Sequence, residues 1–274
     1  MNRAQQQRRK IFQDTLRVTK GVGTYKQSEL YSNEELPEFD EMQGMSYYNL
    51  EQHKVVIEVV NQDTLVGVLQ LAKQGLTPMV LNLASDFKAG GGVRSGSGAQ
   101  EEELFRRTNY DNCSNQKFYP LKEDDQFVVT ENVYIVKDED NVLISSKDWQ
   151  AFTFLAMPGI RKPVRECAYD ENDEPINDAN GKPVFTYRDD EDMETMRKKI
   201  DLIFRYAVLE EFDSLVLGAL GCGAFGNPPE DVANLFSEAI EKYGGAFKKI
   251  RFAVLSRDTQ LNFQIFKDTL ATKK

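Results

Sequence analysis

Residues 78–107 read PMVLNLASDFKAGGGVRSGSGAQEEELFRR. The stretch opens on Pro78 and a short apolar run through Ala84, which predicts a buried strand. It closes on 100–107, a helix start with acids in its first turn, where they favour the positive end of the helix dipole. Between them lies a glycine-rich loop, 85–99. Strand, glycine loop and helix in that order form an α/β unit. In open α/β sheets, ligands sit at the carboxyl ends of strands, where such loops lie. Glycines bring backbone N–H groups close to a phosphate, and the helix N-terminus adds positive potential.

The flanking sequence alternates in the same way. A polar amphipathic helix is predicted over 2–19, stopped by Gly21 and Gly23. Residues 24–50 read as a loop. A strand over 54–60 precedes a helix capped by Asp63 or Thr64. Further on, 133–136 and 142–144 predict a hairpin, and 151–157 an apolar strand. Helices are predicted over 193–209, 230–243 and 260–270, with strands over 214–220 and 250–255. Asn227 is the expected cap of the 230–243 helix. The pattern implies one α/β domain over 1–274 with a mixed sheet, an N-terminal extension over 1–50 and no dividing linker.

A second glycine loop, Gly221-Cys222-Gly223-Ala224-Phe225-Gly226, also follows a strand and precedes a helix. It satisfies GxGxxG, and Glu241 lies twenty residues beyond Gly221. However, Asn227-Pro228-Pro229 intervenes before the helix, whereas a dinucleotide fingerprint opens its helix directly. Too little chain follows for the remaining strands of such a fold. Two phosphate-type loops in one sheet instead suggest a ligand held from two sides.

The first loop carries more information. Gly90-Gly91-Gly92, seven residues and then Gln100-Glu101-Glu102 form one long joint pattern. Carboxylates beside a phosphate-cradling loop are electrostatically costly, because a bound anion repels them. A site built for acid chemistry beside a diphosphate sugar would need them there.

With these residues in place, the chain resembles the poly(ADP-ribose) glycohydrolase family in its shorter, bacterial-type form. The family signature is GGG, six to eight residues, then QEE, and its diphosphate loop resembles 221–227. The similarity extends through the N-terminal helix, the strand end Leu81-Asn82-Leu83-Ala84 and the strand at Phe252-Ala253-Val254. It implies a macrodomain-like three-layer α/β/α sandwich with a mixed sheet and an N-terminal helical extension. It also implies hydrolysis of ribose–ribose O-glycosidic bonds in poly(ADP-ribose), releasing ADP-ribose, with no cofactor and no metal.

By the same resemblance, Glu102 would protonate the leaving 2′-oxygen and then deprotonate the water that attacks C1″. Glu101 would fix the ribose hydroxyls. The ADP-ribose contacts would come from Gly90, Gly91, Gly92, Val93 and Gln100, and from Gly221, Cys222, Gly223, Ala224, Phe225, Gly226 and Asn227. Phe225 would pack on the distal ribose. Asn82, Asn262 and Phe263 are further candidates, the last two toward the adenosine end. An ADP-ribose reader without turnover, or a hydrolase of another ADP-ribosyl link, would share most of these residues. Lys88-Ala89 replaces the family's usual Asn-Pro before the triplet, which would loosen the approach to the loop.

The acid's protonation is an open balance at this level. An ordinary Glu titrates near ~4.3. A helix N-terminus lowers that value, whereas burial, neighbouring glutamates and an incoming diphosphate raise it. Glu103 would point ~100° away from Glu102 and be solvated. Arg106 and Arg107 read as a solvated helix face or as contacts to polymer phosphates. Cys222 and Trp149 read as packing residues, and His53 as a surface residue.

Composition bounds the rest. The net charge is −10, but 166–192 alone carries ten acidic and two basic residues. That segment is an acidic surface insertion with a turn at Asn180-Gly181. The run 170–181 is no calcium loop: with Asp178 and Asn180 as positions one and three, Gly181 falls at the fourth position rather than the sixth. The remaining body is nearly neutral, so a polyanion-binding face remains open. Three scattered cysteines suit a reducing compartment. No apolar run approaches the ~20 residues of a membrane span, and no secretory signal is visible. The expected setting is cytoplasmic or nuclear. The expected partners are poly(ADP-ribose), ADP-ribose and ADP-ribosylated proteins, bound by a monomer with no direct DNA or membrane contact.

Overall fold

The structure is a computed structural model and describes residues 2–43, 54–178, 180–256 and 261–271. In chain order its main elements are α1 (Arg3–Val18), β1 (Ser28–Tyr31), α2 (Phe39–Gln43), β2 (Val56–Val60), α3 (Thr64–Lys73), β3 (Pro78–Leu83), α4 (Gln100–Arg107), α5 (Tyr110–Cys113), β4 (Phe127–Ile135), β5 (Gln150–Met157), β6 (Arg165–Cys167), β7 (Phe185–Tyr187), α6 (Asp190–Leu209), β8 (Ser214–Leu217), α7 (Pro229–Tyr243), β9 (Lys249–Ala253) and α8 (Asn262–Ala271).

Seven strands form one mixed sheet in the order β1-β4-β5-β3-β8-β9-β2. The pairs β5/β3, β3/β8, β8/β9 and β9/β2 are parallel, and β1/β4 and β4/β5 are antiparallel. β3 lies at the centre, which explains its continuous apolar run: both faces are covered. Met79 and Leu81 join one core with α6, α7 and α8 through Ile203, Phe236 and Phe266. Val80 points the other way, into a core with Phe12, Leu71, Leu104 and Phe105 from α1, α3 and α4. Period-two alternation along one strand thus builds the two cores of a three-layer sandwich. Among the described residues, no helix is long and apolar enough to cross a membrane.

Local chemistry explains the element ends. The Asn2 side chain accepts from the Gln5 N–H, and the Gln5 side chain accepts from the Asn2 N–H, both at 2.9 Å. This reciprocal box starts α1. Asp63 caps α3 by accepting from the Leu65 and Val66 N–H groups.

Some sequence expectations change. The loop expected over 24–50 contains β1 and α2. β1 is short and half polar, and pairing with β4 residues a hundred positions away makes it a strand. The hairpin expected at 133–144 shrinks to one bridge between Lys137 and Leu143, because β4 takes its partners from β1 and β5. The α7 cap is Pro228 rather than Asn227. The acidic excursion does turn at Asn180-Gly181 and folds back as β6 and β7, but its last residues begin α6. His53 lies outside the described residues.

β5, β3 and β8 are parallel neighbours, so their carboxyl ends lie side by side. Three loops leave from that edge: 158–164 after β5, 84–99 after β3 and 218–228 after β8.

Candidate active site

The loop after β3 folds down onto the first turn of α4. Gly90 and Gly91 have φ of +76° and +48°, a region open to glycine at little cost. Space is a second reason for the triplet. A Cβ on Gly90 would stand 2.8 Å from the Phe105 ring. One on Gly91 would stand 2.7 Å from Glu102 Oε1 and 2.9 Å from Glu101 Oε2, and one on Gly92 only 2.1 Å from Ser97 Oγ.

That closeness lets the two carboxyls bind the loop's own backbone. Glu101 Oε1 accepts from the Gly90 N–H at 3.0 Å, and Oε2 from the Ser85 N–H at 2.8 Å. Glu102 Oε1 accepts from the Gly92 N–H, and Oε2 from the Ala99 N–H, both at 2.8 Å. The Ala99 contact is half of a capping box, since alanine has no oxygen with which to return it. Both residues are buried, Glu101 at 3% exposure and Glu102 at 7%.

Burial dominates the electrostatics of Glu101. Desolvation pushes its carboxyl up to about 8, assisted by the neighbouring Glu102 and opposed by the Ser85 and Gly90 N–H groups. Glu101 is therefore an acid that keeps its proton at neutral pH. Asn82, at the end of β3, lies beneath it with Nδ2 3.4 Å from Glu101 Oε1, and Asn82 Oδ1 is buried without a partner.

Other candidates of the first loop have structural ties. Gln100 accepts from the Leu83 N–H at 2.9 Å and donates to Leu81 O at 2.8 Å, strapping α4 to β3. Val93 is buried in the core. Lys88 is exposed, yet the loosening expected beside it is absent. Gln116 Nε2 donates to Ala89 O at 3.1 Å, and the Leu121 N–H to Asp86 O at 2.8 Å.

The solvated reading of the two α4 arginines is also overturned. Arg106 and Arg107 are only 1% and 2% exposed. Arg106 donates to Ser97 O at 2.6 Å and, through Nε and Nη2, to Glu103 Oε2. Arg107 donates to Asp63 Oδ1 at 2.7 Å. Each buried guanidinium finds acceptors, which is what makes its burial tolerable. Contacts from these two arginines to polymer phosphates are ruled out by the same burial.

The loop after β8 is built differently. Gly221 and Gly226 have φ of +72° and +81°. Asn227 is buried and ties the loop closed. Its Nδ2 donates to Gly221 O at 3.0 Å and to Ile160 O at 2.7 Å, and its Oδ1 accepts from the Tyr187 hydroxyl at 2.8 Å. Gly223 and Ala224 are exposed at the loop's crest, and Phe225 is half-buried. Cys222 Sγ donates to Leu220 O, and burial pushes its thiol up, away from the thiolate. The packing role expected of Cys222 fits that setting. Asn262 and Phe263 open α8, with the Phe263 N–H donating to Ser256 Oγ at 3.0 Å.

Residues 4–138 match the family model of the microbial-type PARG catalytic domain. This stretch is similar to the microbial-type PARG family. No curated protein sequence matches the chain. Solved structures that share the fold include the following three. Poly(ADP-ribose) glycohydrolase from Thermomonospora curvata superposes with a TM-score of 0.77 at 22% identity, covering 97% of this chain and 100% of that one. The same enzyme bound to the inhibitor ADP-HPD gives 0.70 at 22%, over 96% and 99%. The enzyme from Deinococcus radiodurans, in complex with ADP-ribose, gives 0.68 at 23%, over 90% and 96%. The PARG fold thus extends across almost the whole chain, beyond the segment that carries the family match.

Sequence reasoning missed four residues around the site: Asp86, Arg161, Tyr187 and Asp231. The first two join the glycine loops, as described below. Asp231 Oδ2 accepts from Thr186 Oγ1 and from the Tyr187 N–H, fixing the base of the acidic hairpin to α7. None belongs to a motif. Only the spatial meeting of the β3 and β5 loops with β7 and α7 brings them together.

Proposed function

We propose that this chain hydrolyses the ribose–ribose O-glycosidic bonds of poly(ADP-ribose) and releases ADP-ribose, with the whole chain acting as one catalytic unit. One observation carries the reading: two buried glutamates on the first turn of α4 lie directly under the Gly90–Gly92 backbone, and a second glycine loop leaves the same edge of the sheet. Such a pair serves acid chemistry, whereas a binding module has no use for a proton donor there.

Cleavage of this bond passes through an oxocarbenium-like state. Glu102 gives its proton to the 2′-oxygen of the leaving ribose as the C1″–O bond breaks. The substrate's own diphosphate, cradled by Gly90–Gly92 and the 221–226 loop, stabilises the cation. Glu102, now a carboxylate, takes a proton from the water that attacks C1″ and is ready for another turn. Glu101 acts as a neutral neighbour. Its two oxygens already accept backbone N–H groups, but a carboxyl oxygen has room for a second bond, and so for a ribose hydroxyl. A neutral Glu101 also spares the incoming diphosphate one adjacent negative charge. Phe225 packs on the distal ribose. ADP-ribosylated proteins are the natural carriers of the substrate, and a monomer suffices for this chemistry.

The test is ADP-ribose release from purified poly(ADP-ribose) by the native chain and by Glu102→Gln. Release by the native chain should fall by about 10²–10⁴-fold in the variant, while ADP-ribose binding persists. A fully active Glu102→Gln enzyme would remove Glu102 from the role.

A further inference from the structure

The chemistry above gives Arg161 no part, yet its side chain spans the two glycine loops. It sits in the turn after β5. Its Nε donates to Asp86 Oδ2 at 3.2 Å, and its Nη2 donates to Asp86 Oδ1, a two-pronged grip on one carboxylate. Its guanidinium lies 4.4 Å from the centroid of the Phe225 ring. Asp86 belongs to the loop after β3, and Phe225 to the loop after β8. The Arg161 turn is fastened to the second loop at further points. The Lys162 N–H donates to Phe225 O at 2.9 Å, and Asn227 Nδ2 donates to Ile160 O at 2.7 Å.

These ties differ in kind from the buried arginines of α4. The Arg161 side chain is 53% exposed, and an exposed ion pair contributes little to stability. Its geometry does something else. A cation over the face of an aromatic ring fixes the plane of that ring. The pairing also neutralises Asp86, whose carboxyl is held below its ordinary range by the Arg161 guanidinium. An unpaired Asp86 in a loop that receives a diphosphate would repel it.

We infer that Arg161 is a positioning residue for substrate: it orients Phe225 and screens Asp86, and so sets the fit of a diphosphate-linked ribose between the two loops. This inference rests on the function proposed above. It predicts an effect on binding more than on the chemical step, because Arg161 reaches the ligand through Phe225 and Asp86 and not through the scissile bond.

The test uses the full chain, with ADP-ribose binding measured by calorimetry and release from poly(ADP-ribose) measured at steady state. Arg161→Ala should raise the ADP-ribose Kd and the KM by about tenfold while kcat changes by less than about threefold. Arg161→Lys keeps the charge and should recover part of the loss. Phe225→Ala with Arg161→Ala should bind more weakly than Phe225→Ala alone only by the repulsion of the unscreened Asp86, and so by less than the product of the two single losses. Adding Asp86→Asn to that pair should bring it back to Phe225→Ala alone. Native-like binding in Arg161→Ala, or full additivity that Asp86→Asn leaves in place, would overturn the inference. A native chain that binds ADP-ribose and releases product while Arg161 variants behave like it defeats this inference alone. A native chain that neither binds nor releases ADP-ribose defeats the functional reading and this inference with it.

Discussion

The Gly92 N–H donates to Glu102 Oε1 at 2.8 Å, so the loop proposed to cradle the diphosphate also holds the proposed acid. The same main chain that would meet the phosphates sets where Glu102 points. Binding and proton transfer are then coupled through about ten residues of chain, and small movements of the loop should be felt at the carboxyl.

Gly91→Ala probes that coupling directly. The added Cβ would stand 2.7 Å from Glu102 Oε1 and 2.9 Å from Glu101 Oε2, at a φ of +48°. Either the loop lifts or both carboxyls shift. The expected result is a loss of turnover of about a hundredfold with a stability cost of about 1–3 kcal/mol. Steady-state ADP-ribose release and a thermal melt read the two effects separately. Native turnover in this variant would mean that the loop does not position the acid.

The raised Glu101 carboxyl makes stability depend on pH. The native state holds this proton up to about 8, whereas the unfolded chain loses it near the ordinary value of 4.5. Between those values the folded state binds more protons than the unfolded one. The contribution of Glu101 to stability is therefore fully present below the lower value and is lost as pH rises through the upper one, with a slope of up to about 1.4 kcal/mol per pH unit. Melts of native chain and Glu101→Gln from pH 5 to pH 9 should diverge: the native chain should lose stability relative to the variant, with the difference levelling off above about pH 8. Parallel curves would show that Glu101 titrates normally.

The glycine triplet, the glutamate pair and the strand before them were legible in sequence, because local spacing dictates their arrangement. What sequence could not supply came from contacts between distant segments. Ser28–Tyr31 becomes an edge strand through its ladder with Phe127–Thr130, which no local propensity encodes. Arg106 and Arg107 have the composition of a solvated face. They are buried because Ser97 O, Glu103 and Asp63 offer acceptors. Arg161 belongs to no pattern, and its partners are 75 residues before it and 64 after it.

Arg106 gives a stability prediction. It is held at Ser97 O and Glu103, and Ser97 in turn lies against Gly92. Arg106→Met keeps most of the apolar stem but leaves Ser97 O and the Glu103 carboxylate without their donor. A cost of about 2–4 kcal/mol is expected, read as a lower melting temperature or denaturation midpoint. The stretch 92–98 should also exchange its amide protons faster in this variant. A change under about 0.5 kcal/mol would mean that water replaces the guanidinium at no penalty.

The acidic hairpin is expendable only in part. Its outer portion makes turns among its own residues: Asp178 Oδ1 accepts from the Asn180 and Lys182 N–H groups, and the Gly181 N–H donates to Asp178 O. Its base is another matter, since the Tyr187 hydroxyl donates to Asn227 Oδ1 inside the second glycine loop, and Asp231 holds the Thr186 hydroxyl and the Tyr187 N–H. Replacing 170–181 with a two-residue turn should therefore leave both melting temperature and ADP-ribose release near native. Tyr187→Phe removes only the bond to Asn227, so it should weaken ADP-ribose binding by about three- to tenfold, the range of one lost hydrogen bond. Binding calorimetry on the two variants separates arm from base: weak binding in the shortened hairpin with native binding in Tyr187→Phe would reverse the assignment and place the functional contact at the tip.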